Sequence, residues 1–170
     1  MERIHATCVA FEGQAVLLRG KSATGKSDLA VRLMDQGWQL VADDYTELYA
    51  HDGVLYARPP KTLKGLIEVR GLGLIKVDHL DQSPVVAVFD LLSVGPLGSL
   101  GSLGSLDSLG SLGSLGSMDI PERLPALSRQ SFEGLDVPRY SLQALQASAP
   151  AIIRLALKAQ AQSLFYSLEA

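Results

Sequence analysis

The residues Gly20-Lys21-Ser22-Ala23-Thr24-Gly25-Lys26-Ser27 carry the densest chemical signal in this chain. They match the P-loop pattern Gly-x4-Gly-Lys-Ser. Glycines at either end let the backbone curl until successive N–H groups point inward, where they can bind phosphate oxygens. The Lys26 ammonium is placed to meet the β- and γ-phosphates of a nucleotide, and the Ser27 hydroxyl suits a Mg²⁺ ion. Nucleotide-dependent phosphoryl transfer is the chemistry such a loop serves.

Asp43-Asp44 form a second constellation. They end an apolar run, where carboxylates beside a P-loop would face the phosphates. One could hold the metal or its water shell while the other accepts a proton from an attacking hydroxyl. A helix cap or a solvated turn is the plainer alternative. The third group is Glu68-Val69-Arg70-Gly71-Leu72-Gly73, whose charges and glycines suit metal and phosphate contacts and equally suit a strand with a tight turn. His5 alone reads as structural, and His51 and His79 as exposed loop residues.

The elements that must position these groups follow from apolar patterning. Thr7 to Phe11 and Ala15 to Arg19 flank Glu12-Gly13-Gln14, which predicts a hairpin leading into a buried strand. Leu29, Ala30, Leu33 and Met34 recur at helical spacing from about Ser27, and Gly37 ends that helix. Trp38 to Ala42 is the next strand, so strand, loop, helix and strand predict a βαβ unit with parallel strands and a right-handed crossover. Glu47 to Ala50 and Val54 to Ala57 form a hairpin around His51-Asp52-Gly53. A short helix follows Pro59-Pro60. Strands are expected at Ile67 to Val69 and Leu74 to Val77, with a central strand from Val85 to Leu92. Pro121, Pro125 and Pro138 suggest an irregular connection before a helix over Ala151 to Leu164, which Ser148 and Pro150 introduce.

From Leu97 to Ser117 the chain is a Leu-Gly-Ser triplet repeat, broken once by Asp107. A period of three matches neither helix nor strand, and glycine at every third residue is costly to order. A flexible surface insertion in a single domain spanning 1–170 is expected, with self-association through the leucines as the alternative.

Composition limits the function classes. A net charge of −3 gives no general attraction to nucleic acid. The single cysteine, Cys8, lies in an apolar run and reads as a buried thiol. Met1 to His5 lacks the apolar core of a signal peptide, and no apolar stretch approaches the roughly 20 residues that span a bilayer. A cytoplasmic location is the expectation.

The order of these motifs resembles a known family. Ile4-His5-Ala6, the P-loop, Leu40-Val41-Ala42-Asp43-Asp44 and Glu68-Val69-Arg70-Gly71-Leu72-Gly73-Leu74-Ile75 are together similar to the catalytic domain of bacterial HPr kinase/phosphorylase. The likeness covers about residues 4 to 92 and continues from Ile120 to Lys158 with the short form found in alphaproteobacteria. It implies an α/β fold, a P-loop kinase core of phosphoenolpyruvate-carboxykinase-like type with a mixed sheet and flanking helices. The implied activity is ATP- and Mg²⁺-dependent phosphorylation of a serine of the carrier protein HPr, and the implied assembly a homo-oligomer such as a hexamer.

Carried over by position, Asp43 is the catalytic base, with His5 beside it and Lys26 on the phosphates. Ser27 and Glu68 fall to the metal and Arg70 to phosphate or HPr, while Asp44 is left as the metal-holding member of the aspartate pair by the reading of the residues themselves. The chain departs from the family at Ala23, where a loop glycine is usual. It also departs at Asp28, usually glutamate, and at Asp78 to Ser83, which lacks a glycine-rich continuation. The sequence shows no counterpart of the N-terminal regulatory domain of longer members, so the resemblance does not carry their metabolite control over to this chain. Two other functions fit the residues: a nucleotide-binding regulatory module without transferase activity, and a small-molecule P-loop kinase.

Overall fold

β1 (Glu2–Phe11) and β2 (Gln14–Arg19) pair antiparallel, with Phe11 opposite Gln14. The turn between them holds Glu12 at φ 50° and Gly13 at φ 76°. Two successive positive φ values match the right-handed twist of the flanking strands, and a residue followed by glycine is the cheapest way to supply them. The same device recurs at Asp52-Gly53 and Glu133-Gly134. A computed structural model describes residues 1–93, 121 and 126–164; the Leu-Gly-Ser repeat, Ile120 and Pro125 lie outside them.

After β2 come the P-loop and α1 (Lys26–Met34), which Gly37 closes at φ 89° while Trp38 N–H bonds back to Leu33 O. β3 (Gln39–Ala42) and β4 (Tyr45–His51) both run antiparallel to β1, separated by Asp43-Asp44. β5 (Val54–Arg58) completes the hairpin around Asp52-Gly53. A 3₁₀ turn at Lys61–Leu63 follows Pro60. β6 (Leu66–Val69) and β7 (Gly73–Lys76) form a separate two-stranded sheet. The remaining elements are β8 (Ser83–Leu91), β9 (Ser128–Phe132), β10 (Leu135–Leu142) and α2 (Ala149–Ala161).

Two expectations need correction. β2 and β3 run in the same direction but are not neighbours, because β1 lies between them and pairs with both. β3 therefore carries Asp43 at the end of an antiparallel pair. Pro138 is not in an irregular connection but inside β10, opposite Arg129 of β9. Pairing of β10 with β8 starts only at Arg139, so the proline lies where the strand has one neighbour and needs no second ladder bond.

β8 is the central strand, parallel to β2 on one side and to β10 on the other, and its start also pairs antiparallel with β5. The pairing thus closes a ring through β1, β2, β8, β5 and β4. Alternation along each strand splits the core in two. Val9, Val16, Leu18, Ala87 and Phe89 meet Leu29 and Leu33 of α1 and Ile153 of α2. Cys8, Ala10, Leu17, Val88 and Val41 form the second cluster, with Leu48, Phe132 and Val137. Both faces of the central strands are buried, which explains their near-continuous apolar runs. Cys8 is fully buried, and that burial raises its thiol pKa far above the usual range, so it is unreactive.

The C-terminal strands are fastened to β2 and β8 through one carboxylate. Asp90 accepts hydrogen bonds from Arg19 Nε at 2.6 Å and Nη2 at 3.1 Å, and from Arg139 Nε at 2.5 Å. Burial pushes the Asp90 carboxyl up, but the Arg19 and Arg139 hydrogen bonds and charges together hold it below the usual carboxylate range. A folded-state pKa depressed in this way stabilises the protein above the ordinary aspartate value and ceases to do so as pH falls through the folded one. Asp90→Asn is expected to cost about 2 kcal/mol at neutral pH. Urea titrations of both proteins check this, and the gap is expected to narrow steadily below about pH 4.

Candidate functional site

The P-loop is drawn tight by its own side chains. Thr24 Oγ1 donates to Lys21 O at 2.9 Å, and Thr24 N–H reaches the same carbonyl at 3.3 Å. At Gly20 a Cβ would lie 2.7 Å from Thr24 Oγ1 and 2.9 Å from Leu91 O, so no side chain fits there. Gly25 enters α1 at φ 94°, leaving the first amides of the helix pointing back toward the loop. These amides and the helix dipole suit an anion.

Ala23 holds φ 65°, the left-handed conformation that its Cβ resists. Alanine at this position therefore carries strain that the family's usual glycine avoids, on the order of 1 kcal/mol. Ala23→Gly is expected to raise the urea midpoint by an amount equivalent to about 1 kcal/mol, less the entropy glycine adds to the unfolded chain. A lowered midpoint would show the loop unstrained.

Lys26 is 7% exposed and donates from Nζ to Gly20 O at 3.0 Å and Lys21 O at 3.1 Å. Desolvation lowers its pKa, against the charges of Asp44 and Asp43, which raise it. The ammonium thus sits inside the loop it serves, held by carbonyls that a phosphate would displace.

The two aspartates differ sharply. Asp43 is 4% exposed, and both of its oxygens are engaged. Oδ1 accepts from Thr7 Oγ1 at 2.7 Å and from Ser27 Oγ at 3.5 Å, and Oδ2 accepts from Glu68 N–H at 3.0 Å. Asp44 holds φ 60°, a conformation aspartate tolerates better than most residues. Its side chain is half exposed, with Oδ1 3.8 Å from His5 Nε2. The His5 ring meets Tyr45 edge-on. His5 therefore stands beside Asp44, the neighbour of the aspartate with which the resemblance paired it. A kink between β3 and β4 turns the two neighbouring carboxylates to different surroundings.

Glu68 reaches the site through its backbone, while its side chain and that of Arg70 are exposed on the β6–β7 hairpin. Among the described residues no three His, Cys, Asp or Glu side chains converge to hold a metal. Beside Gly20 and Lys21 opens a cleft of about 500 Å³, bordered by the Arg19–Asp90–Arg139 cluster.

His79 is not the exposed loop residue its sequence suggests. Its side chain is 21% exposed, and Gly65 makes room for it: a Cβ there would lie 2.7 Å from Nδ1. Sequence reasoning also missed Thr7. The available signal was period 2 on β1, which puts Thr7 on the same face as His5. It missed too the segment after β10, where Leu145 packs against Gly25, and Ala144 O and Gln146 O accept from Arg32.

Comparisons with known proteins found the following similarities. Residues 1–85 match the family model described as the HPr serine kinase C-terminal domain. The HPr kinase/phosphorylase of Clostridium beijerinckii is 42% identical over 78 residues, covering 46% of this chain and 26% of that protein. That of Limosilactobacillus reuteri is 38% identical over 92 residues, covering 54% and 29%. The chain therefore spans less than a third of the length of these relatives. A solved structure titled HPr(Ser) kinase/phosphatase, from Coxiella burnetii, superposes with a TM-score of 0.70 at 23% identity, covering 96% of this chain and 99% of that one. This superposition establishes the mixed α/β fold over both halves of the chain, including the part beyond the family match.

Proposed function

Since the chain belongs to the HPr serine kinase C-terminal domain family, we propose that it transfers the γ-phosphoryl group of ATP, with Mg²⁺, to a seryl hydroxyl of HPr. The observation that carries this reading is the pair of unlike carboxylates at the P-loop, one buried with both oxygens hydrogen-bonded, the other half exposed and close to a histidine.

The loop amides and Lys26 bind the phosphates once the ammonium leaves the carbonyls of Gly20 and Lys21. Mg²⁺, when bound, neutralises phosphate charge; Ser27 would hold it, with Glu68 nearby. Asp43, with each oxygen already accepting hydrogen bonds, ties β1 and β6 together behind the loop and holds Ser27 only loosely. Asp44 has an open oxygen and accepts the proton of the attacking serine, and His5 steadies its charge. The base is thus assigned to Asp44 in place of Asp43. In the reverse direction the same carboxylate would activate inorganic phosphate, the activity that the relatives' name joins to the kinase. Arg70, exposed beside the site, is assigned to contact phosphate or HPr. No helix among the described residues is long and apolar enough to cross a membrane. We place the protein in the cytoplasm as a homo-oligomer, with residues 1–170 forming one kinase domain and the repeat inserted as a loop.

Mass spectrometry of HPr after incubation with the protein, ATP and Mg²⁺ tests the substrate assignment. One phosphoserine is expected; HPr of unchanged mass would reject it.

A further inference from the structure

Asp43 joins four parts of the chain, and the shortest bond it accepts comes from a residue with no assigned role. Thr7 is fully buried in β1, opposite Leu18 of β2, and its hydroxyl donates to Asp43 Oδ1 at 2.7 Å. Ser27 approaches the same oxygen at 3.5 Å, at the outer limit of a hydrogen bond. Bonds to a carboxylate are about twice as strong as neutral ones, so Thr7 is the dominant partner of that oxygen. While Thr7 supplies the donor, the Ser27 hydroxyl remains only loosely held and is free to turn its lone pairs toward a cation. Without Thr7, Oδ1 lacks a close donor, and Ser27 is the group within reach to fill the gap.

We propose that Thr7 is a positioning residue, which occupies Asp43 Oδ1 so that the Ser27 hydroxyl stays available to Mg²⁺. The inference rests on the nucleotide-binding part of the function proposed above and requires no particular phosphoryl acceptor. Groups that orient a metal ligand from behind typically alter metal affinity by about 10- to 100-fold when removed.

The test is the Mg²⁺ dependence of ATP binding, followed with a fluorescent ATP analogue in the wild type, Thr7→Val, Thr7→Ala and Thr7→Ser. Thr7→Val preserves shape and deletes the hydroxyl, Thr7→Ala covers the case in which valine fails to fold, and Thr7→Ser keeps the donor. Half-saturating Mg²⁺ is expected to rise about tenfold in the valine and alanine variants. Serine is expected to restore it, and binding of the analogue in EDTA is expected to stay unchanged throughout. A merely structural threonine would weaken binding with and without Mg²⁺ alike. Folded Thr7→Val or Thr7→Ala protein with the wild-type Mg²⁺ requirement overturns the inference, as does Thr7→Ser behaving like alanine. Transfer to HPr is scored separately on the wild type. If it is absent the acceptor assignment falls, while the Mg²⁺ comparison still decides the role of Thr7.

Discussion

Asp44→Asn is expected to slow phosphoryl transfer to HPr by at least about 100-fold while leaving Mg²⁺-dependent ATP binding within about threefold of wild type. The substitution removes the proposed proton acceptor and a negative charge that acts on Lys26. Asparagine tolerates φ 60° as well as aspartate does, so the kink between β3 and β4 survives. Among the described residues no side chain donates a hydrogen bond to Asp44, and His5 approaches it only to 3.8 Å, so no buried donor among them is left unpaired. Asp43→Asn is expected to fail differently. Its amide nitrogen cannot accept the bond that one carboxylate oxygen now receives from Thr7, Ser27 or Glu68. Stability and Mg²⁺-dependent binding are both expected to fall with transfer. Single-turnover rates and ATP titrations on both variants separate the two roles. If Asp43→Asn alone lost transfer while binding ATP normally, the family pattern would be right and the base would be Asp43.

Lys26→Met is expected to weaken ATP binding by about 100-fold and to abolish measurable transfer. The methionine keeps the apolar stem that packs at the start of α1, so the loss isolates the ammonium. Removing it also frees the carbonyls of Gly20 and Lys21, which the loop then leaves to water. Calorimetric titration with Mg·ATP measures the affinity, and the thermal transition shows whether the loop change has reached the core. A variant that binds ATP as tightly as wild type would mean that the amides alone hold the phosphates. In that case Lys26 serves the folded loop rather than its ligand.

The elements best legible in the sequence are those whose signals are local. Glu12-Gly13 and Asp52-Gly53 announce their hairpins because two positive φ values in a row demand residues of that kind. The P-loop and α1 are legible because glycine spacing and helical periodicity change at one point. Glu133-Gly134 carries the same turn signal, yet Pro138 a few residues later reads as a strand breaker. Only the pairing partners of β10 reveal that its proline lies where one neighbour is missing. The order of β1, β2 and β3 was likewise hidden, since a strand–loop–helix–strand sequence does not say what lies between its strands.

The sequence pointed to the P-loop and the two aspartates but not to Thr7, and it did not tell the two aspartates apart. Two adjacent aspartates look equivalent as letters. They become unlike because Thr7, Ser27 and the Glu68 amide reach only the first, and left-handed backbone at Asp44 carries the second toward His5. Each of those contacts joins residues far apart in the chain, so no local pattern encodes them. Ala23 is a similar case: the letter marks a departure from glycine, and φ 65° turns that departure into strain.

The central claim is that this P-loop site performs transfer to HPr rather than nucleotide binding alone. It is tested most directly by incubating the protein with γ-labelled ATP, Mg²⁺ and the HPr of the same organism, in a sample whose ATP binding has already been measured. Label on a seryl residue of HPr, lost when that serine is replaced by alanine, is the predicted result. ATP bound at full stoichiometry with no label on HPr would contradict it and favour a nucleotide-binding regulatory module.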